Sequence, residues 1–101
     1  MLVVAGYLRF DPSRRKEALA AAQAAMKATR QEPGCISYTF SADLEDESVF
    51  RVFEEWKNQA ALDDHFSQPH MTDFQKTIAA LGVRDMQIRR YAIAQIGPLR
   101  D

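Results

Sequence analysis

The residue types most able to do chemistry in this chain are concentrated between positions 49 and 70, where its lone tryptophan and both of its histidines lie. Residues 49–56 alternate as a strand does, and side chains two positions apart on a strand point to the same face. Glu54 and Trp56 are therefore expected to lie side by side on one face of a strand. This face then presents a carboxylate and an indole to whatever element covers it.

A short helix after the strand supplies the imidazole. Residues 59–66 predict a helix on which Leu62, His65 and Phe66 share one face, because positions three and four apart are neighbours on a helix. If this helix folds back over the strand, then Glu54, Trp56 and His65 line one small apolar space, which is the candidate site. A structural interpretation also exists, since a tryptophan at a strand end and a histidine beside a phenylalanine usually belong to the core.

The elements that must position these residues follow one another in the order β-α-β-β-α(α)-β. Strands are predicted at residues 2–10, 35–42, 49–56 and 86–96, and helices at 14–32, 59–66 and 69–81. The first helix has Leu19, Ala22 and Met26 at helical spacing, and Pro33-Gly34 stops it. This order predicts an α+β, ferredoxin-like fold, with strands 1 and 3 in the middle of a four-stranded antiparallel sheet and the helices on one face.

Apolar and aromatic residues occur on both faces of the predicted strands. In strand 1 the residues Val3, Ala5 and Tyr7 alternate with Val4, Leu8 and Phe10, and in strand 4 Tyr91 and Ile93 alternate with Ile88, Ala92 and Ile96. A sheet that is apolar on both faces but covered on one would expose more apolar surface than a monomer normally does. We therefore expect a homodimer that forms through the sheet faces.

Length and composition restrict the class of protein. A chain of 101 residues is expected to form a single domain, residues 1–101, with one modest core. The net charge of −1 argues against a nucleic-acid or anionic-membrane partner. No stretch approaches the roughly 18 apolar residues of a membrane span, so a cytoplasmic location is expected.

Metal and disulfide chemistry are not expected from the spacing of the potential ligands. The single Cys35 can form neither an internal disulfide nor a thiolate cluster. The two histidines do not stand in an H-x-x-x-H or H-x-E arrangement, so no metal site is predicted.

Two runs of the sequence, EPGCISYTF and VFRVFEEWKNQAALDDHFSQPHM, resemble the antibiotic biosynthesis monooxygenase family. The family pattern has a Pro-Gly before strand 2, E-x-W at the end of strand 3, A-x-L-x-x-H on the next helix, and a following Pro-His. The matching positions are Pro33, Gly34, Glu54, Trp56, Ala60, Leu62, His65, Pro69 and His70. The resemblance covers nearly the whole chain.

The resemblance implies a dimeric α/β barrel, in which two sheets pack face to face and each subunit keeps its own pocket between sheet and helices. Characterised members oxidise phenolic or hydroquinone-like substrates with O₂ and without flavin, haem or metal. The expected function is therefore a cofactor-independent monooxygenase for a small phenolic, quinol or polyketide-type aromatic substrate. In this interpretation His65 is the proton acceptor, and Trp56 and Glu54 are the other catalytic residues. The expected substrate-binding residues are Tyr38, Leu62, Phe66, His70 and Phe74.

The chain also departs from the pattern of some family members. Actinorhodin-type monooxygenases carry an Asn four residues before the Trp, where this chain has Val52. Haem-degrading relatives use an Asn early in strand 1, where this chain has Gly6-Tyr7, so haem is not expected. The superfamily also contains isomerases of small carbonyl compounds and members without known activity. An isomerase or related enzyme that acts on a small carbonyl compound, and a non-catalytic ligand-binding or stress-linked dimer, are thus the alternatives, and His70 competes with His65 for the role of base.

Overall fold

The computed structural model describes residues 1–100, which form four strands, three α-helices and one short 3₁₀ helix (Pro12–Arg14). The strands are β1 (Leu2–Arg9), β2 (Cys35–Ala42), β3 (Val49–Trp56) and β4 (Asp85–Ala92), and the helices are α1 (Arg15–Thr29), α2 (Gln59–Phe66) and α3 (Pro69–Ala80). The strands form one antiparallel sheet in the order β2-β3-β1-β4. The predicted α+β ferredoxin-like fold, with β1 and β3 in the centre, is confirmed.

The helices pack on the sheet face that carries the even-numbered residues of β1, β2 and β3. One core cluster joins Leu8 and Phe50 of the sheet to Ala18 and Ala22 of α1. A second cluster contains Val4, Ala25, Tyr38, Trp56 and Leu62. The strand parity predicted for β3 is thus observed, since its even-numbered side chains are buried and include both Glu54 and Trp56.

Helix α1 faces the sheet through small side chains, and the predicted apolar stripe is partly wrong. The buried residues of α1 are Ala18, Ala22, Ala25 and Thr29, whereas Leu19 is 41% exposed. Because alanine is small, a contact line of alanines lets the helix approach the sheet closely, and Leu19 is displaced to the side. The predicted end of this helix is also wrong, because α1 ends at Thr29 and residues 30–34 form turns. Glu32 therefore lies outside the helix.

Strand β4 is shorter than the predicted span of residues 86–96. Its last paired residue is Ala92, which lies opposite Leu2, the first residue of β1. One further backbone hydrogen bond joins Ile93 N to Met1 O at 3.1 Å, and Ile96 is 67% exposed. Because β1 begins at Leu2, β4 has no strand to pair with after Ala92. The apolar residues that follow Ala92 are therefore not part of the sheet.

The odd-numbered face of the sheet carries none of the three helices. On this face Val3 pairs with Tyr91 across β1 and β4, and Ala5 pairs with Phe53 across β1 and β3. Phe53 is 48% and Tyr91 45% exposed. An apolar strip thus crosses the middle of the uncovered face. Among the described residues, no helix has the length and apolar character that crossing a membrane requires.

Candidate functional site

A cavity of about 550 Å³ lies between the helix-facing side of the sheet and helices α2 and α3. Its wall is mainly apolar, and the polar side chains in the wall are those of Tyr38, Glu54, His65 and Gln75. A cavity of this size and composition suits a small, largely apolar molecule that a few polar groups orient.

Helix α2 places His65 at this cavity. The helix begins after Asn58, whose side-chain oxygen accepts a hydrogen bond from Ala61 N at 2.9 Å and so caps the first turn. From that start, the helical phase directs Leu62 and His65 toward the sheet, where His65 is only 1% exposed. Its ring packs against Trp56, with ring centroids 4.7 Å apart, and against Tyr38, with centroids 5.7 Å apart. The imidazole is therefore held in one orientation by aromatic neighbours.

The carboxylate of Glu32 binds both histidines. Glu32 Oε2 lies 2.8 Å from His65 Nδ1 and 2.8 Å from His70 Nε2. The turn that carries Glu32 reaches α2 because position 34 is glycine: a Cβ atom on Gly34 would lie 2.2 Å from Ala61 Cβ. Glu32 is thus a third member of the polar cluster, and the sequence analysis missed it. The available signal is its place directly before Pro33-Gly34, where the sequence predicts the end of a helix.

The hydrogen bond to Glu32 determines which ring nitrogen of His65 carries the hydrogen and which keeps a free lone pair. Burial lowers the pKa of His65 below its ordinary value, although the hydrogen bond to Glu32 and its negative charge oppose this shift. The imidazole is therefore neutral at physiological pH, with the hydrogen on Nδ1, where a carboxylate accepts it. His65 lines the cavity and Glu32 does not. The lone pair of Nε2 is accordingly the one left for a molecule in the cavity.

Glu54 is a second titratable group in the cavity wall. Trp56 Nε1 donates a hydrogen bond of 2.8 Å to Glu54 Oε1 in the buried interior. Burial raises the pKa of Glu54 to about 7, even though the Trp56 hydrogen bond lowers it, and the charge of Glu32 adds to the rise. Burial also raises the pKa of Tyr38, so that its phenol stays protonated. Near neutrality the cavity therefore contains hydrogen-bond donors as well as the acceptor on His65.

The structure brings five of the eight predicted site residues into the cavity wall: Tyr38, Glu54, His65, Phe66 and Phe74. Trp56 and Leu62 lie behind the wall in the core cluster. Phe66 was expected to face the sheet with Leu62 and His65. It is instead 55% exposed, because α2 turns only its Leu62 and His65 side inward.

His70 does not line this cavity. It faces a groove between α1 and α3, in whose wall α1 contributes mainly alanines. Its Nδ1 atom is buried and has no hydrogen-bond partner among residues 1–100. His70 is thus connected to His65 through the shared oxygen of Glu32 rather than through the cavity.

Comparison with known proteins agrees with this architecture. The family model of the antibiotic biosynthesis monooxygenases matches residues 1–77. An uncharacterised protein of Synechocystis, sll1783, is 38% identical over 94 residues, which are 93% of this chain and 64% of that protein. YcnE of Bacillus subtilis, a proposed monooxygenase, is 31% identical over 73% of this chain and 78% of its own length.

Solved structures give the same result. A proposed antibiotic biosynthesis monooxygenase from Deinococcus radiodurans superposes with a TM-score of 0.92 at 27% identity, and each chain is covered completely. The sheet and the helices of this chain are thus arranged as in that protein. The chain belongs to the antibiotic biosynthesis monooxygenase family.

Proposed function

We propose that this protein is a cofactor-independent monooxygenase that oxidises a small phenolic, quinol or polyketide-type aromatic substrate with O₂. Membership of the family supports an oxygenase in general terms. The observation that carries the proposal is the pair Glu32–His65, in which a carboxylate holds Nδ1 of a buried imidazole that lines a mainly apolar cavity. We infer that Nε2, the nitrogen that Glu32 leaves free, serves a molecule in that cavity. A carboxylate that orients a histidine in this way is a recurrent arrangement for a general base.

The proposed chemistry begins with removal of a phenolic proton by His65 Nε2. The phenolate that results is electron-rich and reacts with O₂ at a ring carbon that bears hydrogen. One oxygen atom becomes the carbonyl of a quinone, and the other leaves as water. All four electrons that reduce O₂ come from the substrate, so that the oxidation of a phenol to a quinone balances without another reductant.

The remaining polar groups of the cavity support the charged intermediates. The buried Tyr38 phenol and the protonated form of Glu54 are hydrogen-bond donors in a mainly apolar cavity wall. Donors held in place in such surroundings stabilise a developing oxyanion more effectively than water does. Phe66 and Phe74 supply apolar surface for the aromatic ring.

Oxygen consumption tests the proposal. Chelator-treated protein is mixed with a panel of hydroquinones and polycyclic phenols, and O₂ uptake is recorded with an electrode and compared with the uncatalysed rate. We expect uptake with at least one compound and formation of one quinone per O₂ consumed. Conversion of a carbonyl compound without O₂ uptake would favour the isomerase. The absence of both activities in folded protein would favour the non-catalytic dimer.

We also propose that the protein forms a homodimer through the uncovered face of the sheet. The apolar strip on this face includes Val3, Ala5, Phe53 and Tyr91, and Phe53 and Tyr91 are about half exposed in the single chain. Strips of this kind on both copies can cover each other in a two-fold contact. The dimer then encloses the sheets and leaves each cavity on the opposite, helix-covered side.

Tyr91→Glu is expected to weaken this dimer at least tenfold, or by about 1.4 kcal/mol or more, because the contact would bury a carboxylate without a partner. Sedimentation velocity at micromolar concentration measures the change. The matched control is Gln31→Glu, which adds the same charge at an exposed turn. A wild-type protein that sediments as a folded monomer would show that the proposed dimer is wrong.

A further inference from the structure

We propose that Glu32, His65 and His70 form a binding site for a divalent transition-metal ion of the Zn²⁺ type. The three side chains come from separate parts of the chain: the turn after α1, the last turn of α2 and the first turn of α3. Each offers one ligand atom, and the three atoms lie within 4.8 Å of one another. The spacing of the two histidines alone did not predict such a site, because the third ligand is distant in sequence.

The geometry is close to that of a metal site. Glu32 Oε2 is 2.8 Å from each of the two histidine nitrogens. A Zn²⁺ ion bound at about 2.0–2.2 Å from imidazole nitrogen and carboxylate oxygen spaces its ligands by somewhat more than a hydrogen bond does. The two histidine nitrogens, which lie within 4.8 Å of each other, would also have to approach the ion. The adjustment falls on Glu32, in a turn, and on His70, which is partly exposed. His65 can stay where its aromatic neighbours hold it.

The ligand types select the class of ion. Two imidazoles and one carboxylate are the preferred ligands of zinc, iron, cobalt and nickel, whereas magnesium and calcium prefer oxygen ligands alone. Three protein ligands also leave coordination positions open for water or another small molecule. This set of two imidazoles and one carboxylate therefore favours a divalent transition-metal ion over magnesium or calcium.

The charge of the site is also suited to a cation. The carboxylate of Glu32 is only 10% exposed, and its ion-pair partners among the described residues are the two histidines. Neither lysine nor arginine, which carry a permanent positive charge, pairs with it in this part of the molecule. A buried anion that lacks a permanent counter-charge is costly, and a divalent cation bound by all three side chains offsets that cost.

Metal binding has one chemical consequence, which rests on the proposed function. A metal at His65 Nδ1 moves the hydrogen of the neutral ring to Nε2, the nitrogen at the cavity. Nε2 then donates and no longer accepts a proton, so that a bound ion and a catalytic base exclude each other. Metal binding itself does not depend on this consequence, and its test uses no enzymatic activity.

The test is a titration of the tag-free, metal-free full chain with Co²⁺, followed by displacement with Zn²⁺. We expect one ion per chain and the intense visible absorption of four- or five-coordinate Co²⁺, in contrast to the weak band of the hydrated ion. Glu32→Gln and His70→Gln are each expected to weaken Zn²⁺ binding at least tenfold, as measured by calorimetry. The matched control is Asp64→Asn, which removes an exposed carboxylate next to His65 and should leave the affinity unchanged.

Two results would overturn the proposal. One is a Co²⁺ spectrum that stays that of the hydrated ion when wild-type protein is present. The other is a Zn²⁺ affinity that is the same in wild type, Glu32→Gln and His70→Gln. Circular dichroism verifies that each variant is folded, and if neither variant folds, the wild-type Co²⁺ spectrum decides alone.

Discussion

Replacing His65 by alanine is expected to lower kcat/KM for oxidation of the best hydroquinone by about 10²–10⁴-fold. A general base usually contributes a factor of this size, which corresponds to about 3–5 kcal/mol of transition-state stabilisation. The expectation follows from the position of His65, whose Nδ1 is bound to Glu32 and whose ring lines the cavity. Steady-state O₂ uptake, divided by the concentration of folded protein, measures the effect.

His65 is buried, so its removal also affects folding, and the two effects must be separated. A purely structural histidine would lower the stability and leave the rate per folded molecule nearly unchanged. His70→Ala is the matched variant, because it removes an imidazole bound to the same oxygen of Glu32 but outside the cavity wall. We expect it to lose much less rate than His65→Ala. Full activity in folded His65→Ala would show that the assignment is wrong, and a large loss in His70→Ala alone would make His70 the base.

The parts of the site that the sequence predicted well depend on local periodicity. Alternation along β3 placed Glu54 and Trp56 on one face, and the structure joins them by a hydrogen bond between residues two apart. Helical spacing in α2 placed Leu62 and His65 toward the sheet, where both are buried. Each of these features is fixed by a few neighbouring residues, because the period of a strand or a helix is known in advance.

The parts that the sequence did not predict depend on contacts between distant segments. Glu32 is 33 positions from His65 and 38 from His70, and no periodic pattern relates residues at such separations. The end of α1 at Thr29 places Glu32 in a turn, and Gly34 lets that turn approach α2. Helix propensity alone continued the helix to Glu32, since it does not include these tertiary contacts.

Parity also identifies the face on which a side chain lies but not what covers that face. Trp56 shares a face with Glu54, yet the structure covers Trp56 with core residues and leaves Glu54 in the cavity wall. The same reasoning applies to β4, whose apolar residues extend to Ile96 while its pairing with β1 stops at Ala92. Apolar character predicted a longer strand, but β4 can extend only as far as β1 provides hydrogen-bonding partners.

Glu54→Gln is expected to make the folded chain more stable than wild type at pH 8, by about 3 kcal/mol. Burial raises the pKa of Glu54 from 4.5 to about 7, so between these pH values the folded protein keeps a proton that the unfolded chain has already released. Above pH 7 the folded protein bears the full cost of a buried carboxylate. Stability should therefore fall as the pH rises from about 4.5 to 7, which is opposite to the behaviour of an ion-paired carboxylate. Glutamine cannot ionise, and its oxygen can still accept the hydrogen bond from Trp56 Nε1.

Urea unfolding of wild type and Glu54→Gln between pH 4 and pH 8 measures the difference in their free energies of unfolding. Other carboxyl groups titrate in both proteins, so the difference between the two curves isolates Glu54. Near pH 4 the wild-type carboxyl is protonated in the folded chain and largely so in the unfolded chain, and the difference should shrink to the small cost of exchanging a hydroxyl for an amide. From there it should grow in favour of the glutamine variant until about pH 7 and then level off. A difference that does not depend on pH would mean that Glu54 ionises as easily in the cavity wall as in water. It would then remain an anion at neutral pH and could not donate a hydrogen bond to the oxyanion of the substrate.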